Sequence, residues 1–312
     1  MRGIALKRLL ENLPENSTQI LLHEVSLDIL RKHKPDKQHP VHPIKVTFAD
    51  VETTGVTHGK DKVTQLGLLQ ILFCGESGLP HQILNWYEGF NDPGIPIPED
   101  VQRLTGITDE MVKGQVLDTM EIGNIISDSD LIVAHKADFD RPFVDDICPV
   151  SRTVPWSCSL MQIDWKKEEC ECARLSHICL EHGFFYKGKH SALSDCVGLA
   201  WLMCHRSIHK QKLTYMKILL WQLNNGGIVF VQALGAPFEK KDVLKGMGFQ
   251  WNPADKVWER KMPFYLWREV QHALRELVYF APDVPAKYKY QSENPWCVRI
   301  IDAKDAFKSS FY

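Results

Sequence analysis

The stretch Ile44-Lys-Val-Thr-Phe-Ala-Asp-Val-Glu52 constrains this chain more than any other. It alternates with the period of two that belongs to a β-strand, so Ile44, Val46, Phe48, Asp50 and Glu52 share one side. An apolar strand face therefore ends in two carboxylates. They stand roughly 7 Å apart along the backbone, from the rise per residue of a strand, a gap that side chains can close to share one ion. Thr53 and Thr54 follow, and Gly55 allows the backbone conformations that a turn beside a ligand needs. Taken alone, the pair also fits an ordinary polar strand end and turn.

Two later stretches add to it. Asp130-Leu-Ile-Val-Ala-His135 is a short apolar run suited to a buried strand, and it breaks into Lys136-Ala-Asp-Phe-Asp-Arg-Pro142, where the proline fits the first turn of a helix. Phe139, Phe143 and Ile147 recur at helical spacing and are expected to pack inward, which places Asp140 near the strand-to-helix junction. The helix dipole alone also favours carboxylates there, and Asp138, Asp145 and Asp146 read as solvated charges. The third stretch, His190-Ser-Ala-Leu-Ser-Asp195, leads into a helix whose inward face is Ala192, Cys196, Leu199, Ala200 and Met203, with Ser191 or Ser194 as its cap. An imidazole such as His190 titrates near neutral pH and can take a proton from water. Carboxylates in such settings are hard oxygen ligands, suited to magnesium or manganese with coordination positions left open for a phosphate.

The elements D-x-E-T-T-G, H-x-A-x-F-D and H-x-A-x-x-D, in this chain order, resemble those of the DEDDh 3′-to-5′ exonucleases. That group contains the proofreading epsilon subunit of bacterial DNA polymerase III. The resemblance covers residues 41–206 and includes Pro96-Ile-Pro-Glu-Asp-Val-Gln-Arg-Leu-Thr-Gly-Ile-Thr-Asp-Glu-Met-Val. It implies a ribonuclease-H-like fold in which Asp50, Glu52, Asp140 and Asp195 bind two divalent ions, Mg2+ or Mn2+, and His190 is the general base. It also implies that Thr53 and Thr54 lie by the terminal nucleotide and that 5′-mononucleotides leave from a 3′ end. Lys136 departs from the pattern, standing where many relatives carry asparagine; either it contacts the substrate phosphate or it extends into solvent.

Composition is compatible with this reading without deciding it. No apolar run reaches the length of a membrane span, and the N-terminal stretch is interrupted by charge, so the expectation is a cytoplasmic protein. The nine cysteines, an odd number scattered through apolar segments, suit reduced thiols. Cys158, Cys170, Cys172 and Cys179 with His177 and His182 lack the paired spacing of a zinc site, and core packing and surface placement are the expected roles. A net charge of −2 is not that of a protein relying on broad phosphate neutralisation. An enzyme that grips only a strand end tolerates it, because its metals add local positive charge. Lys60, Lys62, Lys136, Arg141, Lys187 and Lys189 either form a local basic rim or, the expected reading for each taken singly, are ordinary solubilising charges.

The expected organisation is an N-terminal helical extension and linker (1–40), the nuclease domain (41–206), a connecting helix (207–226), a small α+β module (227–281) and a tail (282–312). Strand candidates around 46–51, 65–73 and 82–90, then alternating helices and strands, argue for an α/β mixed sheet flanked by helices. In the module, residues 228–234 read as a strand, 239–247 as a helix, 249–261 as a hairpin and 263–279 as a second helix. Its Lys245-x-x-Gly-Phe-x-Trp-Asn-Pro pattern is similar to a module that follows the nuclease domain in some bacterial epsilon-like proteins. Trp251 and Trp258 are expected in its core, with stacking on bases as the alternative. Three functions stand open: an exonuclease acting on single-stranded DNA 3′ ends in proofreading or repair, with a DNA polymerase as possible partner; an RNA-trimming exoribonuclease; and a non-catalytic nucleic-acid or polymerase-binding subunit.

Overall fold

The computed structural model describes residues 22–28, 40–186, 191–210, 213–225, 227–282, 296–301 and 305–307. The chain divides into two compact units, 1–220 with 307–312, and 221–306. The first carries strands β1 (His23–Val25), β2 (Pro43–Thr53), β3 (Val63–Cys74), β4 (Pro80–Phe90), β5 (Leu131–Ala134), β6 (Trp156–Cys158) and β7 (Phe184–Tyr186). Its principal helices are α1 (Glu99–Thr105), α2 (Thr119–Ser127), α3 (Ala137–Ile147), α4 (Leu175–Glu181) and α5 (Ala192–Met203); α6 (Tyr215–Asn224) includes the division between the units.

Five strands form one sheet in the order β4-β3-β2-β5-β6. The first three make an antiparallel meander, and β5 and β6 run parallel to β2. A parallel strand needs a crossover, and the 91–130 stretch with α1 and α2 supplies it. This is the mixed sheet of a ribonuclease-H-like fold. Its centre is covered on both faces: Val46, Thr47, Phe48 and Ala49 of β2 are all buried, and so are the first nine residues of β3. Helix α2 turns Ile122, Ile125 and Ile126 inward, and Asp118 caps it by accepting from the Met120 and Glu121 N–H groups.

Several expectations change. The N-terminal extension, expected to be helical, contributes β1, paired in parallel with β7, and the rest of 1–40 lies mainly outside the described residues. Pro142 sits inside α3 rather than in its first turn, because the helix begins directly after Lys136, whose carbonyl accepts from the Phe139 and Asp140 N–H groups. Asp145 is not solvated and Arg141 is no part of a surface rim. Arg141 is fully buried over the Trp156 ring, its Nε donating to Asp145 Oδ2 at 3.4 Å, while Ser151 donates to Asp145 Oδ1. Ser191 stands at the N-cap of α5, yet its hydroxyl donates to Glu88 instead of capping.

The position of α5 depends on Gly67 of β3. A Cβ there would lie 2.3 Å from the backbone of Ala192 and Leu193, so the helix rests directly on strand backbone. Gly67 is also the cross-strand partner of Asp50. The helix that carries Asp195 is thereby seated beside the strand end that carries Asp50 and Glu52.

In the second unit, β8 (Ile228–Ala233), α7 (Lys241–Gly246), β9 (Gln250–Asn252), β10 (Val257–Pro263), α8 (Trp267–Ala273) and β11 (Trp296–Ile301) form a β-α-β-β-α-β unit. All its strand pairs are antiparallel and the order is β11-β8-β10-β9, a ferredoxin-like arrangement. Residues 282–312 are thus not simply a tail, since they supply an edge strand. Of the two tryptophans expected in the core, Trp258 is buried, whereas Trp251 on the opposite edge strand is 49% exposed and leans on Trp258 at 5.6 Å between ring centroids. Among the described residues no helix is long and apolar enough to cross a membrane.

Replacing Gly67 with alanine forces a methyl into backbone that cannot yield without moving α5. We expect Gly67→Ala to lower the unfolding free energy by about 1–3 kcal/mol in denaturant titrations. An unchanged midpoint would show that the helix is not pinned at this contact.

Candidate active site

Asp50 and Glu52 leave β2 on the same side, and α5, seated on Gly67, brings Asp195 from its first turn to meet them. One carboxylate oxygen from each of the three lies within 4.8 Å of the others. Asp140 stands beside this trio. The parallel pairing of β2 with β5 ends at Phe48, and beyond it the Val51 N–H donates to Asp140 Oδ1 at 3.3 Å. Asp140 is almost fully buried.

Crowding these carboxylates has an electrostatic cost. Burial, followed by the charges of Asp140, Asp195 and Glu52, raises Asp50 well above the ordinary carboxylate range. Burial and Asp195 bring Glu52 to about 7. Burial dominates at Asp140 also, which rises to about 8 although the Val51 N–H opposes the shift. An all-oxygen set whose members repel one another this strongly fits a hard divalent cation, which would relieve the repulsion.

The supports of the site have no signature in the sequence. Gln65, the β3 partner of Glu52, accepts from the Ala192 N–H at 3.1 Å and donates to Glu88 Oε1 at 3.1 Å. Ser191 Oγ donates to the same Glu88 oxygen at 2.7 Å. Tyr186 donates its hydroxyl proton to Asp195 Oδ1. Burial and Asp195 both push the Tyr186 hydroxyl upward, so it stays a donor. Glu88 lies in line with Asp50 across the sheet, with Gly67 between them, and the sequence offers nothing that would single it out.

The remaining candidates are placed less uniformly. Thr53 Oγ1 donates to the Gly55 carbonyl at 2.5 Å, and Thr54 Oγ1 accepts from the Lys62 N–H at 3.1 Å and donates to Asp61 at 3.3 Å. Both threonines are buried and hold the turn after β2. Lys136 is exposed at the start of α3, its Nζ 5.6 Å from the Phe139 ring centroid. His190, with Lys187 and Lys189, lies outside the described residues. His135, the motif histidine, has a structural part: its ring nitrogens bond Ser159 Oγ and the Ala173 carbonyl, both at 2.7 Å, and burial lowers its pKa. All nine cysteines are free, with Cys158 and Cys179 buried in the core.

A family model described as an exonuclease, RNase_T, matches residues 47–202 and so spans all four carboxylates. The chain belongs to this exonuclease family. Among curated relatives it is similar to "DNA polymerase III PolC-type" of Pediococcus pentosaceus, 34% identical over 109 residues, 34% of this chain and 7% of that protein. A protein of the same name from Oceanobacillus iheyensis is 26% identical over 184 residues, 54% of this chain and 12% of that protein. The chain therefore spans only a small part of these relatives. Among solved structures, Exonuclease X in complex with 5′-overhanging duplex DNA aligns over 55% of this chain and 99% of its own, with TM-score 0.40 and 19% identity. E. coli Exonuclease I in complex with a dA16 oligonucleotide aligns over 84% and 64%, with TM-score 0.49 and 13% identity.

The raised carboxylates give a pH prediction whose sign is fixed. Their folded pKa values exceed the unfolded ones, so the metal-free fold holds protons that the unfolded chain releases. Stability is fullest below the ordinary carboxylate range and is lost as pH rises through about 7 for Glu52 and about 8 for Asp140. We expect the metal-free melting temperature to fall across this window and saturating Mg2+ to flatten the decline. Asp50→Asn should raise the metal-free value by roughly 3 °C, the shift that about 1 kcal/mol gives a domain of this size. A lower melting temperature for Asp50→Asn would refute the repulsion argument.

Proposed function

We propose that this chain is a metal-dependent 3′-to-5′ exonuclease that releases 5′-mononucleotides from single-stranded DNA 3′ ends in proofreading or repair. The observation that carries the reading is the convergence of Asp50, Glu52 and Asp195 within 4.8 Å, with Asp140 alongside, in a chain of an exonuclease family. Asp50, Glu52, Asp140 and Asp195 would hold two divalent ions, Mg2+ or Mn2+. When bound, such ions neutralise charge on the scissile phosphate and acidify water.

His190 is assigned the proton of the attacking water. It directly precedes Ser191, which Glu88 fixes at the start of α5. With an imidazole as base, activity rises with pH through the neutral range. The hydroxyls of Thr53 and Thr54 are committed to their turn, so this segment would meet the terminal nucleotide through backbone groups. Lys136, exposed at the start of α3, serves as a point charge for substrate phosphate. DNA is preferred over RNA as substrate, and a DNA polymerase is proposed as a partner, because the curated relatives are polymerases by name.

The test is a product ladder from 5′-labelled single-stranded DNA and RNA of matched sequence with Mg2+ or Mn2+. We expect metal-dependent shortening from the 3′ end on DNA, abolished in Asp50→Ala. His190→Ala should lose about 10²–10⁴-fold, the range of a general base. Undiminished cleavage by Asp50→Ala would remove the carboxylate site from the chemistry, and a ladder on RNA alone would reassign the substrate.

A further inference from the structure

We infer that Tyr186 is a positioning residue for Asp195: its hydroxyl fixes the carboxylate in the orientation in which it is offered to a divalent ion. The inference rests on the reading of Asp195 as a metal ligand. Both ends of that aspartate are held. Its N–H donates to the Ser191 carbonyl at 3.0 Å within the first turn of α5, and its Oδ1 accepts from Tyr186. A phenol has a single proton to donate, and here it goes to the carboxylate. The bond favours one orientation of the Asp195 carboxylate about its Cβ–Cγ bond, beside Asp50 and Glu52.

The tyrosine is itself built in. Its ring lies against Gly198 one turn further along α5, where a Cβ would come within 2.4 Å of the ring carbons, so the absence of a side chain at Gly198 makes its slot. Its backbone belongs to β7, which pairs in parallel with β1 at Val25↔Tyr186, and both residues are buried. The short β1-β7 sheet, apart from the main one, thus supports a single donor aimed at the site. Tyr186 comes nine residues before Asp195, outside the three motifs, and touches none of the other carboxylates by hydrogen bond among the described contacts.

Mn2+ binding to the full chain, followed by the loss of the free-ion electron paramagnetic resonance signal, tests this without reference to turnover. Tyr186→Phe keeps the buried ring and removes only the hydroxyl. We expect it to weaken Mn2+ binding about 10–100-fold, the usual effect of deleting a partner of a metal ligand. The Mg2+ concentration for half-maximal strand cleavage should rise in parallel, with the rate at saturating Mg2+ nearly restored. A merely structural tyrosine would lower the melting temperature and leave ion affinity unchanged, and that result would overturn the inference alone. If the wild-type chain takes up no Mn2+, or Asp195→Asn binds it as the wild type does, the ligand reading falls and takes the inference with it.

Discussion

Helix α5 can lie on the central sheet only because β3 has no side chain at Gly67, and that contact decides where the chemistry-bearing residues meet. The helix touches strand backbone at the cross-strand partner of Asp50, so no intervening layer of side chains separates Asp195 from Asp50 and Glu52. Around the contact, Gln65 bonds the Ala192 N–H, Glu88 takes the Ser191 hydroxyl, and Cys196 Sγ donates to the Gly67 carbonyl at 3.4 Å. These bonds run from strand to helix start, so the helix is fixed along its axis as well as against the sheet. A shift of one helical residue would carry Asp195 through about 100° and off the site.

Against this well-packed frame, the site itself is the place where local rules are broken. Carboxylates avoid burial and avoid one another, yet here Asp50, Glu52 and Asp140 are each raised by burial and by neighbouring acids. Elsewhere the chain treats buried charge differently: Arg141 and Asp145 form a compensated pair, with Ser151 and the Trp156 ring completing the surroundings. A paired charge inside α3 thus contrasts with a cluster of like charges near its N-terminal end, the kind of perturbed group that marks a functional-site candidate.

The parts of this architecture that were legible in the sequence are those set by local periodicity. The alternation of 44–52, the apolar run before His135 and the inward face of α5 depend on neighbours in the chain, and each appears where the pattern places it. What was not legible depends on partners far away. Strand β1 is only three residues long and is a strand because β7 lies beside it. Strand β11 is separated from its module by more than a dozen residues and is recognised only through its pairing with β8. Arg141 reads as a surface cation until Asp145, one helical turn on, and Trp156 enclose it. Gln65, Glu88 and Tyr186 escaped notice for the same reason, since their roles follow from what the fold sets against them.

The same non-locality has a thermodynamic consequence. Asp50 and Glu52 come from β2, Asp140 from α3 and Asp195 from α5, so the four carboxylates converge only when both helices are docked on the sheet. An unfolded chain has no such convergence, and an ion that binds the folded arrangement alone adds its binding free energy to folding. Left to themselves those groups repel and oppose docking, and a bound cation would instead draw the same three elements together. Gly67 and the bonds around it therefore hold α5 in place against that repulsion. The bonds made by Ser191, Ala192 and Asp195 oppose it at the first turn of that helix, where the acid is.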